Sequence, residues 1–374
     1  MKDLLLPRLL VTCLALFGAP ARADLAPETI SVETLGEPQS SWFLAKDMLG
    51  SASLFDAATG EMLGLLSLTP FTPTVQPNLR KGEIYAAEAY YSRLYDGERN
   101  DVLTVYSTTT LARAAEIEIP DKIASLPFRQ YIALMDDDTH LVLFNMIPAQ
   151  SVSVVNIETR QFVSEITTPG CALIMPVANR SFLQQCGDGR LQKIVLGANG
   201  EEVERVRSDV FFSVEEDPVY DKPLPLGGGW LMVSFEGKVF EAGLEDDGIG
   251  ISEPWSLLSE ADQGESWRIG GGQILAMTED GSTLFALMHQ GGVDTHEDPG
   301  TEVWVYDRQS QRRIGRLQLE VPAMNLFVTA TEQPMLLVSD VENQIHIFDA
   351  QRLRKLRTIE DPGQAVGMFQ HFHQ

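Results

Sequence analysis

Cysteine is scarce in this chain. Of 374 residues only three are Cys, and Cys13 lies in an apolar N-terminal stretch, leaving Cys171 and Cys186. The missing C-x-x-C pair excludes a dithiol redox motif. Positive charge is also short. Lys and Arg total 28 against 53 Asp and Glu, a net charge of −25. Such a surface repels nucleic acid and anionic membranes and suits protein or cationic partners. No apolar run beyond the first residues is long enough to span a bilayer, and no low-complexity linker interrupts the chain.

Familiar chemical motifs are absent too. No G-x-S-x-G elbow is present. Gly227-Gly228-Gly229 and Gly270-Gly271-Gly272 have neither phosphate-loop spacing, so they read as tight turns or close backbone packing. His289 and His296 stand seven apart with Asp294 and Glu297 nearby, and His371 and His373 lie in the tail. A loop and a chain end do not converge ligands as a metal site requires. Asp136-Asp137-Asp138 has only part of a calcium-loop pattern and reads as a polar hairpin tip. Residue chemistry alone therefore describes a scaffold or binding protein.

The N-terminus reads as an export signal. Lys2 and Arg8 are basic, residues 9–17 are apolar, and Ala21-Arg22-Ala23 is an A-x-A cleavage site. Residues 1–23 are thus expected to be removed and residues 24–374 to form the mature domain, with no membrane anchor. Two cysteines in an exported chain are most simply read as one disulfide, Cys171–Cys186.

What the chain has in quantity is repetition. An apolar strand, a short polar turn and a second strand recur. Leu54-Phe55-Asp56 leads to Met62, Val105-Tyr106-Ser107 to Ala114, and Val154-Val155-Asn156 to Phe162. Val305-Tyr306-Asp307 leads to Ile314, and Ile347-Phe348-Asp349 to Leu353. Weaker copies fall at Val195-Leu196-Gly197 and Phe240-Glu241-Ala242. Further hairpins precede several copies, as at Ile132 to Phe144. Seven copies of paired hairpins predict an all-β, seven-bladed β-propeller. The strand-like residues 29–34 are expected to close the ring, and a short helix is expected over residues 255–261.

Several segments resemble the heavy subunit of the quinone-dependent amine dehydrogenases. Ser92-Arg93, Gly97-Glu98-Arg99-Asn100-Asp101 and Val105-Tyr106 look like the family's S-R…G-x-R-x-D…V-[FY] segment. Pro169-Gly170-Cys171 with Cys186-Gly187-Asp188-Gly189 looks like its P-x-C…C-x-D-G stretch. Leu258-Ser259-Glu260-Ala261, Trp267-Arg268 and Gly270-Gly271 resemble its L-T-E-A…W-R-P-G-G segment, with Ile269 in place of Pro. Thr301 to Asp307 resembles the strand that follows, and Asn100 stands where the family often has Thr.

The resemblance implies a periplasmic oxidoreductase of two heavy and two light subunits. Its light subunit carries tryptophan tryptophylquinone, oxidises a primary amine to aldehyde and ammonia, and passes electrons to a blue copper protein such as amicyanin or azurin. It implies no catalytic residue, metal or cofactor on this chain, so Trp230, Trp255, Trp267 and Trp304 are not cofactor precursors. Phe71, in Thr69-Pro70-Phe71-Thr72-Pro73, matches the heavy-chain aromatic that lines the substrate channel. An ordinary loop or core phenylalanine beside two prolines is the other reading. A stand-alone exported propeller, either a binding protein or a lactonase-like enzyme, is the alternative to the subunit.

Overall fold

The computed structural model describes residues 34–246 and 248–372. The expected signal sequence and most of the segment expected to close the ring lie outside these residues.

Alternating apolar positions and turn residues make short antiparallel strands, the inner ones buried on both faces and the last of several sheets largely exposed. The first sheet contains Trp42–Asp47, Ser51–Asp56 and Met62–Ser67. The second contains Val75–Asn78, Glu83–Tyr91, Arg99–Ser107 and Arg113–Ile119. The third runs from Ile132–Leu134 to Gln161–Thr167, and the fourth from Cys171–Val177 to Glu202–Arg207. The fifth has five strands, Leu224–Leu226 to Trp255–Ser256. A turn between consecutive strands recurs because Gly or a polar residue there takes the left-handed backbone, as at Gly60 with φ +83°.

The blade count departs from the expected seven. Five sheets stand as separate blades, and the remaining strands form one continuous eight-stranded sheet. The cause is the 17-residue strand Arg312–Val328. Its first part pairs with Gly300–Asp307 and its last part with Met335–Asp340, so hydrogen bonding never breaks between these two repeats. Leu319 to Ala323 offers no Gly, Asn or Asp to turn the chain there.

The C-terminal strand Val366–His371 completes the first sheet beside Trp42–Asp47, pairing Leu44 with Gln370. Neighbouring sheets bury their faces against each other. Phe43, Phe55, Phe327, Leu337 and Phe369 join the last sheet to the first in one cluster. Covering both faces of each sheet in this way removes the apolar area that a lone sheet would expose.

The expected helix moves. Trp255 and Ser256 extend the fifth sheet, and the helix is Glu260–Gly264. Ser259 decides the boundary. It caps the helix, with Ser259 Oγ and the Asp262 carboxylate forming a reciprocal capping box.

Cys171 and Cys186 face each other on adjacent strands and are bonded, S–S 2.06 Å. Replacing both by Ser should lower stability by about 3 kcal/mol, the loop-closure value for a link of this span. A urea midpoint and a thiol count on unreduced protein check it. Two titratable thiols in the native chain would refute the bond.

Candidate functional site

The loop bearing Phe71 joins Met62–Ser67 to Val75–Asn78. Pro70 and Pro73 restrict its backbone, but its position is set from elsewhere. Glu88, in the next strand, is fully buried. Its Oε1 accepts the Thr69 N–H at 2.9 Å and the Thr72 hydroxyl at 3.5 Å. Its Oε2 accepts the Tyr106 hydroxyl at 3.0 Å and the Tyr90 hydroxyl at 3.3 Å. Burial, then the Glu88 charge, pushes the Tyr106 phenol up, so Tyr106 stays a donor. Gly50 holds the loop from the other side. The Leu68 N–H donates to its carbonyl at 2.8 Å, and a Cβ at Gly50 would stand 2.8 Å from Leu68 O. Only glycine fits that approach, at φ +116°.

Phe71 is half-buried at the tip of this pinned turn. Its ring meets Tyr91 edge-on at 5.0 Å and Tyr95 at 5.9 Å. Tyr95 is 66% exposed and the adjacent Leu94 70%. The two tyrosines ride on a hairpin of two nine-residue strands, Glu83–Tyr91 and Arg99–Ser107.

The S-R…G-x-R-x-D residues build that hairpin. Ser92 Oγ accepts the Glu98 N–H at 3.0 Å. Gly97 has φ +99°, and a Cβ there would lie 2.3 Å from Ser92 Oγ. Arg99 grips Asp101 through Nε at 2.6 Å and Nη2 at 2.7 Å. Together they clamp the Ile123 backbone, Asp101 accepting its N–H and Arg99 donating to its carbonyl. The Asp101 carboxylate raises the Arg99 pKa, so the guanidinium stays charged. Arg99 also lies 5.9 Å from the Tyr91 ring. The motif residues therefore position the aromatic group and do no chemistry themselves.

The other singled-out residues lie in structural roles. Asp136 accepts the N–H groups of Asn179 and Arg180, Asp137 binds His140, and Asp138 pairs with Arg80. His289 is buried, which lowers its pKa, and its Nε2 meets Thr295 Oγ1 at 2.9 Å. His296 stacks on Phe235 at 4.4 Å. Among the described residues no group of three or more His, Cys, Asp or Glu is placed to hold a metal ion. Trp267 and Trp304 pack 5.0 Å apart with Arg316 over both rings. Trp230 Nε1 donates to Pro176 O. A Cβ at Gly270 would come within 2.5 Å of the His289 ring, which is why that segment is glycine-rich.

Glu88 carried no motif and was missed by sequence reasoning. The signal was a lone acid inside the apolar run Ala86-Ala87-Glu88-Ala89, since a buried carboxylate needs partners.

An all-β propeller that offers an aromatic cluster on a braced hairpin defines the class. The methylamine dehydrogenase heavy chain family model matches residues 51–370, and the chain belongs to that family. The heavy chain of Methylophilus methylotrophus is 26% identical over 325 residues, covering 86% of this chain and 80% of its own length. That of Paracoccus versutus is 27% identical over 317 residues, covering 83% and 73%. Among solved structures, a functionally unknown protein from Desulfotomaculum acetoxidans superposes with TM-score 0.60 at 12% identity, covering 89% of this chain and 99% of that one. The β-propeller domain of a Myceliophteria thermophila protein superposes with TM-score 0.56 at 10% identity, covering 85% and 96%. These two likenesses concern the fold alone. No helix among the described residues is long and apolar enough to cross a membrane.

Proposed function

We propose that this chain is the heavy subunit of a periplasmic amine dehydrogenase, and that Phe71 lines the path by which a primary amine reaches a partner's cofactor. Family membership supports the subunit role. The observation that carries the site is the half-buried Phe71 ring, held by Glu88 and edged by Tyr91 and the exposed Tyr95. Met48 and Leu49, 49% and 63% exposed, precede the Gly50 that packs on this loop. With Leu94 and Tyr95 they offer apolar area of the kind a second chain covers.

In this reading the covering chain is the light subunit, two copies joining two heavy chains. A tryptophan tryptophylquinone on that subunit would supply the two-electron oxidation of the amine to aldehyde and ammonia, with water as the source of oxygen. A blue copper protein, amicyanin or azurin, then receives the electrons. The heavy chain excludes water and orients the substrate's apolar part against Phe71. Export through a cleaved N-terminal signal agrees with the disulfide, which persists in oxidising compartments.

One experiment tests both parts. The isolated chain should show no quinone absorbance and reduce no dye with any amine, and co-expression with a light subunit should restore turnover. Amine oxidation by the isolated chain would overturn the assignment. In the assembled enzyme, Phe71→Ala should reorder specificity constants among short, long and aromatic amines several-fold, on the scale of about 1 kcal/mol. An unchanged ranking together with a loss of roughly 3–5 kcal/mol of stability would make Phe71 a packing residue only.

A further inference from the structure

Arg129 lies in the connection between the second and third sheets, in the short turn Arg129–Tyr131. It lines three adjoining cavities, of about 440, 530 and 430 Å³. They reach toward the inner strands, including residues of the closing strand such as Met368 and Gln370. The side chain is half-buried, and the protein around it lowers its pKa to about 10 by desolvation alone.

No ion pair or hydrogen bond joins the Arg129 guanidinium to any described residue. The acids along the same cavities are engaged elsewhere or out of reach. Asp136 accepts two backbone N–H groups and Asp280 accepts Thr278 and Ser282, while Glu279 and Glu297 line the cavities without pairing with Arg129. Arg99, Arg313 and Arg316, also held against the core, are paired with Asp101, Asp262 and Glu302. In a chain of net charge −25, a carboxylate for Arg129 is not in short supply. A partly desolvated charge without a counter-ion is unfavourable, and an anion that enters the cavity would relieve it.

The 440 Å³ cavity has an apolar wall, where Arg129 and Lys222 are joined by Phe128, Ile274, Met324 and Met368. Its volume suits a small organic molecule. A planar guanidinium matches the two oxygens of a carboxylate, and the apolar wall suits a hydrocarbon body. We propose that this central cavity is a binding site for a monocarboxylate with a short apolar or aromatic body, held by Arg129. The site belongs to this chain alone and stands whether or not a light subunit is present.

Phenylacetate is the probe, titrated calorimetrically into the purified full-length chain with inorganic phosphate as comparison. One phenylacetate should bind per chain, and phosphate should bind more weakly. Arg129→Gln should weaken phenylacetate at least about tenfold, the scale of a lost charge-assisted pair. Arg129→Lys should keep most of the affinity. Without ligand, the Arg129→Gln chain should melt no lower than wild type, because a partly desolvated charge without a counter-ion has been removed. Lys222→Met, on a different loop, should weaken phenylacetate without abolishing it. Absence of phenylacetate binding, equal binding by Arg129→Gln, phosphate binding as tightly as phenylacetate, or a lower melting point of unliganded Arg129→Gln would each overturn the proposal.

Discussion

Asp101→Ala should lower the unfolding free energy by about 3–5 kcal/mol, the range for breaking one side of a buried ion pair. Asp101 is fully buried, and the Arg99 side chain is only 15% exposed. Truncation breaks three hydrogen bonds at once. Arg99 loses both of its bonds to the carboxylate, and the buried Ile123 N–H loses its acceptor. The clamp joining the aromatic-bearing hairpin to the strand connection beyond it then opens. Equilibrium urea unfolding reads the loss as a lower midpoint at unchanged slope. Replacing both partners, Arg99→Met with Asp101→Leu, should cost less than Asp101→Ala, since no charge is left unpaired. A loss below about 1 kcal/mol for Asp101→Ala would show that the pair behaves like an exposed one.

Glu88→Ala should lower stability by about 3 kcal/mol, combining a cavity with orphaned donors. The Thr69 N–H loses its acceptor, and the Tyr106 hydroxyl retains only Ser67 O at 3.1 Å. Glu88→Gln keeps the shape and one acceptor oxygen, so its loss should be smaller. The effect should reach function, because Glu88 fastens the loop that presents Phe71. Cleavage between Thr69 and Pro73 in limited proteolysis should accelerate in Glu88→Ala. In the assembled dehydrogenase its amine ranking should move in the same direction as in Phe71→Ala. Unchanged proteolysis and ranking in a destabilised Glu88→Ala would confine this carboxylate to packing.

The strand-turn-strand repeat was legible because it is local. Leu54-Phe55-Asp56 and its later counterparts each fall on a hairpin, including the weak copies at Val195 and Phe240. Trp255 was read as helical because its aromatic spacing suits either state. Pairing of Val239 with Trp255 placed it in the sheet, and Ser259 moved the helix start downstream. Phe71 could be singled out by resemblance. Its setting could not, because Glu88 lies 19 residues from the Thr69 N–H that it accepts.

The sequence by itself determined the all-β class, the hairpin repeat, the Cys171–Cys186 pairing and the R-x-D motif of the family. Each depends on alternation, turn residues or a small number of cysteines, all of which act over a few positions or leave one option. Only the tertiary structure decided how many sheets form, which strand closes the ring and which charges find partners. Arg312–Val328 carries hydrogen bonding across two repeats because sheets lie on both of its sides. Gln370 secures the closure by donating to Val75 O and accepting the Thr74 hydroxyl, across 295 and 296 positions of chain. Arg129 lacks a carboxylate for the same reason: partners are assigned by where the folded chain brings side chains, and no acid is brought within its reach.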